Sequence, residues 1–442
     1  MKENRKNFLL IAFDFPPLSS GGTYRPVRFA EGLQSKGLQP VVITIDHEKF
    51  NEGRIDQDLM ASLPEDLVVI RTRILPESRT SKMLDSGYFF YKDSTFYRWK
   101  KFLKPALTAC IKKYDPAFIM LTVPPFSLLN PVRKIADQYQ IPVVYDFRDP
   151  YSFWISSPYP GKLHFRYHRR IERKCVESAF SCLVTSEGTK RWYADIFPEF
   201  SSKFQPVFNS FDQYQANRKP TGSPENKPFT IGYFGSFYYD PLSARLMKKP
   251  WWKKKPYQYF QYLPFRQNWE YRSPWFFFRA VALLLKKNPE YAQRVRIVFT
   301  GAYPQWLREM VEAFKLQEVF VHKGFLSKQK VKQLQQECDA FLITSAKVEQ
   351  GKDYFIAGKT FEYFSLGKPV ISFVAEGDQK EIMKKSGLGV ICDPDDPEQS
   401  ASKLKKLLAS PGNFLPDRVF TDQFKTSNQN EKLYQIIKPL ID

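Results

Sequence analysis

Short runs of apolar, largely β-branched residues punctuate the first half of the chain: FLLIAF (8–13), PVVITI (40–45), LVVIRT (67–72), AFIMLT (117–122), PVVYDF (142–147) and SCLVTS (181–186). Each lies between polar or helix-like stretches. Continuous apolar strands separated by helices predict a parallel sheet covered on both faces. After the first run, a helix is expected to start near Tyr24-Arg25-Pro26. It carries Val27, Ala30 and Leu33 at helical spacing and closes at Gly37, a C-cap residue.

The pattern then restarts. NRKPTGSPENKP (217–228) is rich in turn-forming residues and reads as a linker. Beyond it come FTIGYFGS (229–236), RVRIVFTG (294–301), EVFVHKG (318–324), AFLITS (340–345), PVISFVA (369–375) and GVICDP (389–394). A second α/β domain follows from the same argument. At 442 residues the chain is too long for one hydrophobic core. Expected, then, are a Rossmann-like domain over 1–216, a linker over 217–228 and a second Rossmann-like domain over 229–419. A cleft is expected between the carboxyl ends of the two sheets. Residues 420–442 look helical.

Composition narrows the function classes. The formal charge is 67 − 46 = +21, a surplus that attracts nucleic acid, anionic lipid or phosphorylated substrates. The cysteines, Cys110, Cys175, Cys182, Cys338 and Cys392, are odd in number and widely spaced, with no CxxC. That pattern argues for reduced thiols in a cytoplasmic setting and against a disulfide or zinc framework. His164 and His168 are four apart but sit among Arg166, Arg169 and Arg170, which oppose a metal ion. The apolar run near the N-terminus is short and is ended by Asp14 and Pro16-Pro17, so it reads as a buried strand rather than a signal peptide. No apolar run is long enough for a membrane-spanning helix, so contact with a membrane is expected only from its surface.

Three loops carry residues fit for chemistry. In FDFPPLSSGGTYRPVRFA (13–30), Gly21-Gly22 lies between a strand and a helix, with Arg25 and Arg28 beyond. Glycines there let backbone N–H groups approach an anion, although the pair also describes a plain turn. In YDFRDPYSFW (145–154), Asp146, Arg148 and Asp149 cluster at a strand end, where α/β enzymes place functional groups. A local Arg–Asp pair holding the loop would look the same. In GKTFEYFSLGKPVIS (358–372), Gly358, Lys359 and Thr360 open a helix that carries Glu362 one turn in. A helix N-terminus with a lysine is a phosphate site, and Glu362 could accept hydrogen bonds from a ribose diol. An amphipathic helix with a solvated glutamate is the plainer alternative.

Taken together, these stretches resemble the GT-B glycosyltransferases, and within them glycosyltransferase family 4. FDFPPLSSGGTYRPVRFAEGLQSKG resembles that family's first strand, glycine loop and first helix. YDFRDPY resembles a strand-end motif of a bacterial branch, FGSFYY (234–239) the opening of the nucleotide-binding domain, and DYFIAGKTFEYFSLGKPVI the donor-site segment. The resemblance implies transfer of a sugar from a nucleotide-sugar held mainly by the second domain to an acceptor held mainly by the first. It implies no obligatory metal or cofactor, retention at the anomeric carbon, and a terminal helix that crosses back to the first domain. By resemblance Gly235 and Ser236 belong to the donor loop and Glu362 is the ribose ligand. The family's first donor glutamate has Tyr354 in its place, leaving Glu349, Asp353 or a backbone group for the sugar. Arg272 stands where the family has a diphosphate-binding lysine, with Arg266 its partner. Asp149 lies near the position of a catalytic histidine, and a contact role for Asp149 or Asp146 is expected rather than general-base catalysis. The expected activity is glycosyl transfer to a cell-envelope glycan, one that is lipid-linked, at the inner membrane face. The alternatives are a non-catalytic scaffold of the same fold, or another GT-B enzyme such as a nucleotide-sugar epimerase.

One stretch exceeds that pattern. Residues 240–265 form an insertion into the second domain, centred on KKPWWKKKPYQYF (248–260). Lys248, Lys249, Trp251, Trp252, Lys253, Lys254 and Lys255 could form a solvated basic loop, stack and neutralise nucleic acid, or attach the enzyme to an anionic membrane surface. SGYFFYKDSTFYRWKKFLK (86–104) and the basic helix GKLHFRYHRRIERK (161–174) favour the membrane.

Overall fold

The computed structural model describes residues 6–85, 90, 93–153, 158–215, 227–237, 239, 241, 251–254, 259–264 and 266–442. The chain divides into two units: Met1–Asn209 with Trp251–Pro264 and Thr426–Asp442, and Ser210–Pro250 with Phe265–Lys425. Most of the linker expected over 217–228 lies outside the described residues, as do Lys248, Lys249 and Lys255.

In the first unit the apolar runs become β1 Asn7–Ile11, β2 Gln39–Ile45, β3 Val68–Thr72, β4 Ile119–Val123, β5 Val143–Phe147 and β6 Ser181–Val184. With β7 Phe204–Pro206 they make a seven-stranded sheet in the order β3-β2-β1-β4-β5-β6-β7, every pair parallel. Strand β7 is absent from the sequence reading. It is three residues long and ends in Pro206, which cannot donate to a ladder and is tolerated at an edge.

Alternate residues of β1 feed different cores. Leu9 and Ile11 face one, Phe8 and Leu10 the other, so helices cover both faces. The helix Tyr24–Gln34 buries Phe29, Ala30 and Leu33 on the second face and ends before Gly37, whose φ of +87° takes the left-handed turn. The terminal helix Thr426–Ile437 adds Leu433 and Ile437 to that same core. Burial of each such side chain contributes about 1.5–3 kcal/mol, which holds the chain's last helix on its first unit. The helical stretch expected over 420–442 is divided: a short helix Arg418–Asp422 belongs to the second unit, where Phe424 packs with Phe361 and Phe364, and Thr426–Ile437 belongs to the first.

The second unit has β8 Phe229–Phe234, β9 Gln267–Asn268, β10 Val295–Thr300, β11 Phe320–His322, β12 Ala340–Thr344, β13 Lys347–Val348, β14 Val370–Phe373 and β15 Gly389–Cys392. Its six-stranded parallel sheet runs β11-β10-β8-β12-β14-β15, while β9 and β13 form a separate antiparallel ladder.

The insertion divides differently from the sequence reading, which had 240–265 wholly in the second domain. The described residues at 251–254 and 259–264 group with the first unit. The Tyr262 N–H donates to the Tyr159 carbonyl at 2.9 Å, and the Tyr159 N–H donates back at 3.0 Å. The Tyr262 ring lies 4.9 Å from that of Phe165.

Candidate functional site

In each sheet the strand order reverses where successive connections leave in opposite directions, and ligands of open α/β sheets bind at such a place. In the second unit the reversal lies between β8 and β12. Strand β8 is followed by Gly235, whose φ of +121° is open to glycine and few other residues. A Cβ there would also stand 3.3 Å from the Lys359 amine. Gly301, at the end of β10, has φ +107°, and a Cβ on it would meet the Gly235 backbone at 2.7 Å. The two glycines therefore let two loops touch. Ser236 Oγ accepts from the Ala302 N–H at 3.2 Å and ties them together.

Two cations gather at this strand end. The Lys359 amine lies 3.8 Å from the centroid of the Tyr233 ring. Arg272 also acts on Tyr233: burial pushes the phenol up and the Arg272 charge opposes that rise. Arg272 ends the turn Trp269–Arg272, its guanidinium 4.9 Å from the Trp269 ring and 5.6 Å from the Phe355 ring. Its carbonyl accepts from the Thr344 hydroxyl at the end of β12, at 3.1 Å. Its Nε is buried and has no hydrogen-bond partner among the described residues. Arg266 is exposed; its carbonyl accepts from the Glu349 N–H at 2.8 Å, extending the β9–β13 ladder. The structure thus brings Arg266 and Glu349 side by side through their backbones.

Lys359–Leu366 is a helix whose entry is fixed from below. Gln379 Oε1 accepts from the Ala357 N–H at 2.8 Å and from the Thr360 hydroxyl at 3.1 Å. Gly358 precedes the helix and Glu362 lies on its exposed face, its Oε2 3.5 Å from Gln335 Nε2. Asp353, a sequence candidate for the sugar, is buried instead. Its carboxylate accepts from the Ala346 and Phe355 N–H groups, each at 3.1 Å. Burial pushes its pKa up and Arg272 pulls it down. Asp353 shapes the loop, whereas Glu349 is exposed and Tyr354 half-buried. Sequence reasoning missed Tyr233 and Gln379. Tyr233 directly precedes FGS, a placement that could have flagged it; Gln379 has no such signal.

In the first unit the strand order reverses between β1 and β4, and charged side chains are engaged there. Arg25 donates to Asp146 through Nη2 at 2.7 Å and Nε at 2.9 and 3.0 Å. The Thr122 hydroxyl donates to the same carboxylate at 2.9 Å, and the whole set is buried. Arg148 donates to Asp14 at 2.9 Å and to the carbonyls of Val123 and Pro124, joining the β1 and β4 loops. Gly22 lies against that pair: a Cβ would fall 1.6 Å from Arg148 Nη1, while one on Gly21 would meet nothing. Asp149 is half-buried beside Arg148 in sequence. No group of His, Cys, Asp and Glu among the described residues is arranged to hold a metal ion.

Residues 266–410 match the family model described as Glycosyl transferases group 1. No curated protein matches the chain in sequence. Solved structures match over nearly the full length at low identity. A sucrose-phosphate synthase from Thermosynechococcus elongatus is similar at 12% identity and TM-score 0.61, covering 99% of each chain. The lipopolysaccharide outer core galactosyltransferase WaaB in its apo form is similar at 11% identity and TM-score 0.53, covering 98% of this chain and 99% of that one. A UDP-N-acetylglucosamine 2-epimerase described from Listeria monocytogenes is similar at 9% identity and TM-score 0.55, covering 99% and 97%. The chain has the GT-B fold, two parallel-sheet α/β units, with a group 1 glycosyl transferase domain matched in the second.

Proposed function

We propose that the protein is a family 4-like glycosyltransferase. It moves a sugar from a nucleotide-sugar, taken up by the second unit, to a cell-envelope glycan acceptor, one that is lipid-linked, taken up by the first. The observation that carries this reading is the pair of cations near the β8/β12 reversal, Lys359 over the Tyr233 ring and Arg272 against the Trp269 and Phe355 rings, both cations lying within the matched segment. When the bond between the anomeric carbon and the diphosphate oxygen breaks, its electron pair goes to the diphosphate. Fixed cations aimed at developing charge stabilise such a transition state. Arg272 offers a planar fork and Lys359 a point charge at a helix N-terminus. These groups take the place of a metal ion in this reading, and Arg266 adds a third cation. Gly235 and Ser236 hold the loop open to the diphosphate, and Glu362 binds the ribose. The acceptor's hydroxyl replaces the diphosphate on the sugar with retained configuration.

Release of nucleoside diphosphate from candidate nucleotide-sugars, without acceptor and with chelator present, tests the reading. Slow release that Glu362→Ala abolishes supports it. No release with any nucleotide-sugar, despite nucleotide-dependent thermal stabilisation, would favour a non-catalytic scaffold, the alternative raised by Tyr354.

A further inference from the structure

The helix Lys162–Ser178 has an unusual outer face. Lys162, Arg166 and Arg170 fall at i, i+4 and i+8 and are exposed. Leu163 and Tyr167 share that face, at 70% and 44% exposure. Glu172 is turned into the core, and the helix's other acid, Glu177, lies at its far end. A helix that only packs against a sheet keeps its leucines inside; this one shows solvent a leucine and a tyrosine between cations.

Two distant segments extend the patch. The Phe90 ring stacks on His164 at 4.3 Å and meets Tyr167 at 5.0 Å. From the insertion, the Phe260 carbonyl lies 3.6 Å from the Cβ position of Gly161, at the start of the helix, and its ring is 80% exposed. The Tyr159–Tyr262 backbone pair fixes the insertion there. In the same unit Trp252 is 65% exposed and Lys253 beside it is exposed. Single exposed apolar side chains need no explanation, but a contiguous group from three parts of the chain marks an interaction surface.

We propose that this face of the first unit seats the protein on an anionic phospholipid bilayer. Cations flanking a leucine, a tyrosine and a phenylalanine suit the boundary between headgroups and acyl chains, with the side chains inserted and the charges on lipid phosphate. A nucleic-acid surface would offer flat rings along a groove rather than a leucine and a phenylalanine at the outermost points. The purpose of the surface, though not its existence, rests on the glycosyltransferase reading: it brings the acceptor-binding unit to lipid-linked acceptors.

The test is co-sedimentation of the full chain with vesicles of phosphatidylglycerol and phosphatidylcholine, against phosphatidylcholine alone. The wild type is expected to pellet with the anionic vesicles and to be released by salt. Arg166→Glu with Arg170→Glu should reduce partition by about thirtyfold or more, from two lost cations at about 1 kcal/mol each and two added anions. Leu163→Ser with Phe260→Ser leaves the net charge untouched and should also reduce partition about tenfold, through lost insertion. A wild type that stays in the supernatant overturns the proposal. So does an apolar double variant that binds like wild type, which would mean plain charge attraction. Binding to a single-stranded oligonucleotide that these substitutions abolish, with no vesicle binding, overturns it in favour of nucleic acid. Nucleoside diphosphate release from nucleotide-sugar, measured on the same samples, reads the glycosyltransferase activity independently and is expected to be equal in all of them.

Discussion

The two units reverse strand order at equivalent places and fill them differently. Between β1 and β4 the cations are neutralised by carboxylates: Arg25 by a buried Asp146, Arg148 by Asp14. Between β8 and β12 the cations lie against rings, Lys359 over Tyr233 and Arg272 between Trp269 and Phe355. An ion pair has already used its charge on the framework. Arg25 also has a buried Nη1 without a partner among the described residues and lies 4.7 Å from the Phe29 ring. What separates the two is the carboxylate: the Arg272 guanidinium is in no ion pair among the described residues and its charge stays available to an anion. The same residue types at equivalent sheet positions thus serve architecture in one unit and, in the proposed function, ligand binding in the other.

Removing one cation from each place is the strongest way to break that comparison. Arg25→Ala leaves the Asp146 carboxylate buried without its partner. Loss of one member of a buried pair costs about 3–5 kcal/mol. A large drop in thermal stability is therefore expected, with donor turnover per folded molecule retained. Arg272→Ala should do the reverse. Removing one stabilising group of this kind lowers turnover by about 10²–10³-fold. Its contacts with the rings contribute about 1 kcal/mol, and the buried Asp353 carboxyl can take up a proton when the Arg272 charge is gone, so the stability cost is expected to be smaller than for Arg25→Ala. Arg272→Lys, which keeps the charge and loses the fork, should recover part of the activity. Equal melting of Arg25→Ala and wild type, or full turnover in Arg272→Ala, would remove the distinction between the two places.

Gly22→Ala probes the first place more gently. The new methyl group would fall on the Arg148–Asp14 pair and must push it aside. Overpacking of that kind costs about 1–3 kcal/mol. Gly21→Ala, with nothing within contact range, is the matched control and should melt like wild type.

The strands were legible because parallel strands buried on both faces are written as unbroken apolar runs, and β1, β2, β4, β5 and β6 fall on such runs. Strand β7 and the β9–β13 ladder were not, since two or three residues carry no periodicity. Candidate residue types were legible at strand ends, but their state was not. Whether Arg25 is committed to a carboxylate depends on a contact 121 positions away. Asp353 looks as available as Glu349 in the sequence, and only the fold turns its carboxylate onto two backbone N–H groups. The insertion's allegiance was hidden for the same reason. Tyr262 and Tyr159 belong to separate aromatic stretches, and nothing local says that their backbones pair.

The smallest expected effect concerns a buried acid in the first unit that is held mainly by hydroxyls. Glu172 accepts from the Tyr193 hydroxyl at 2.8 Å, from the Ser152 hydroxyl and from the Ser152 N–H at 3.3 Å; Arg169 is 3.8 Å away. This network holds the end of the YDFRDPYS loop against the basic helix. Burial pushes the carboxyl above its ordinary value of 4.5, and the hydrogen bonds and Arg169 only partly offset it. The folded protein therefore keeps a proton that the unfolded chain gives up. Its stabilisation is full below the unfolded pKa and fades as pH rises through the folded one. Glu172→Gln has no proton to lose, and the neighbouring hydroxyls can turn to accept from its amide. Relative to wild type, the variant should therefore gain melting temperature between acidic and mildly basic pH, on the order of a few °C. Thermal melts of both proteins across that range measure it. A constant difference would mean that Glu172 is ionised throughout, and that this network, like the Arg25–Asp146 pair, is held by charge.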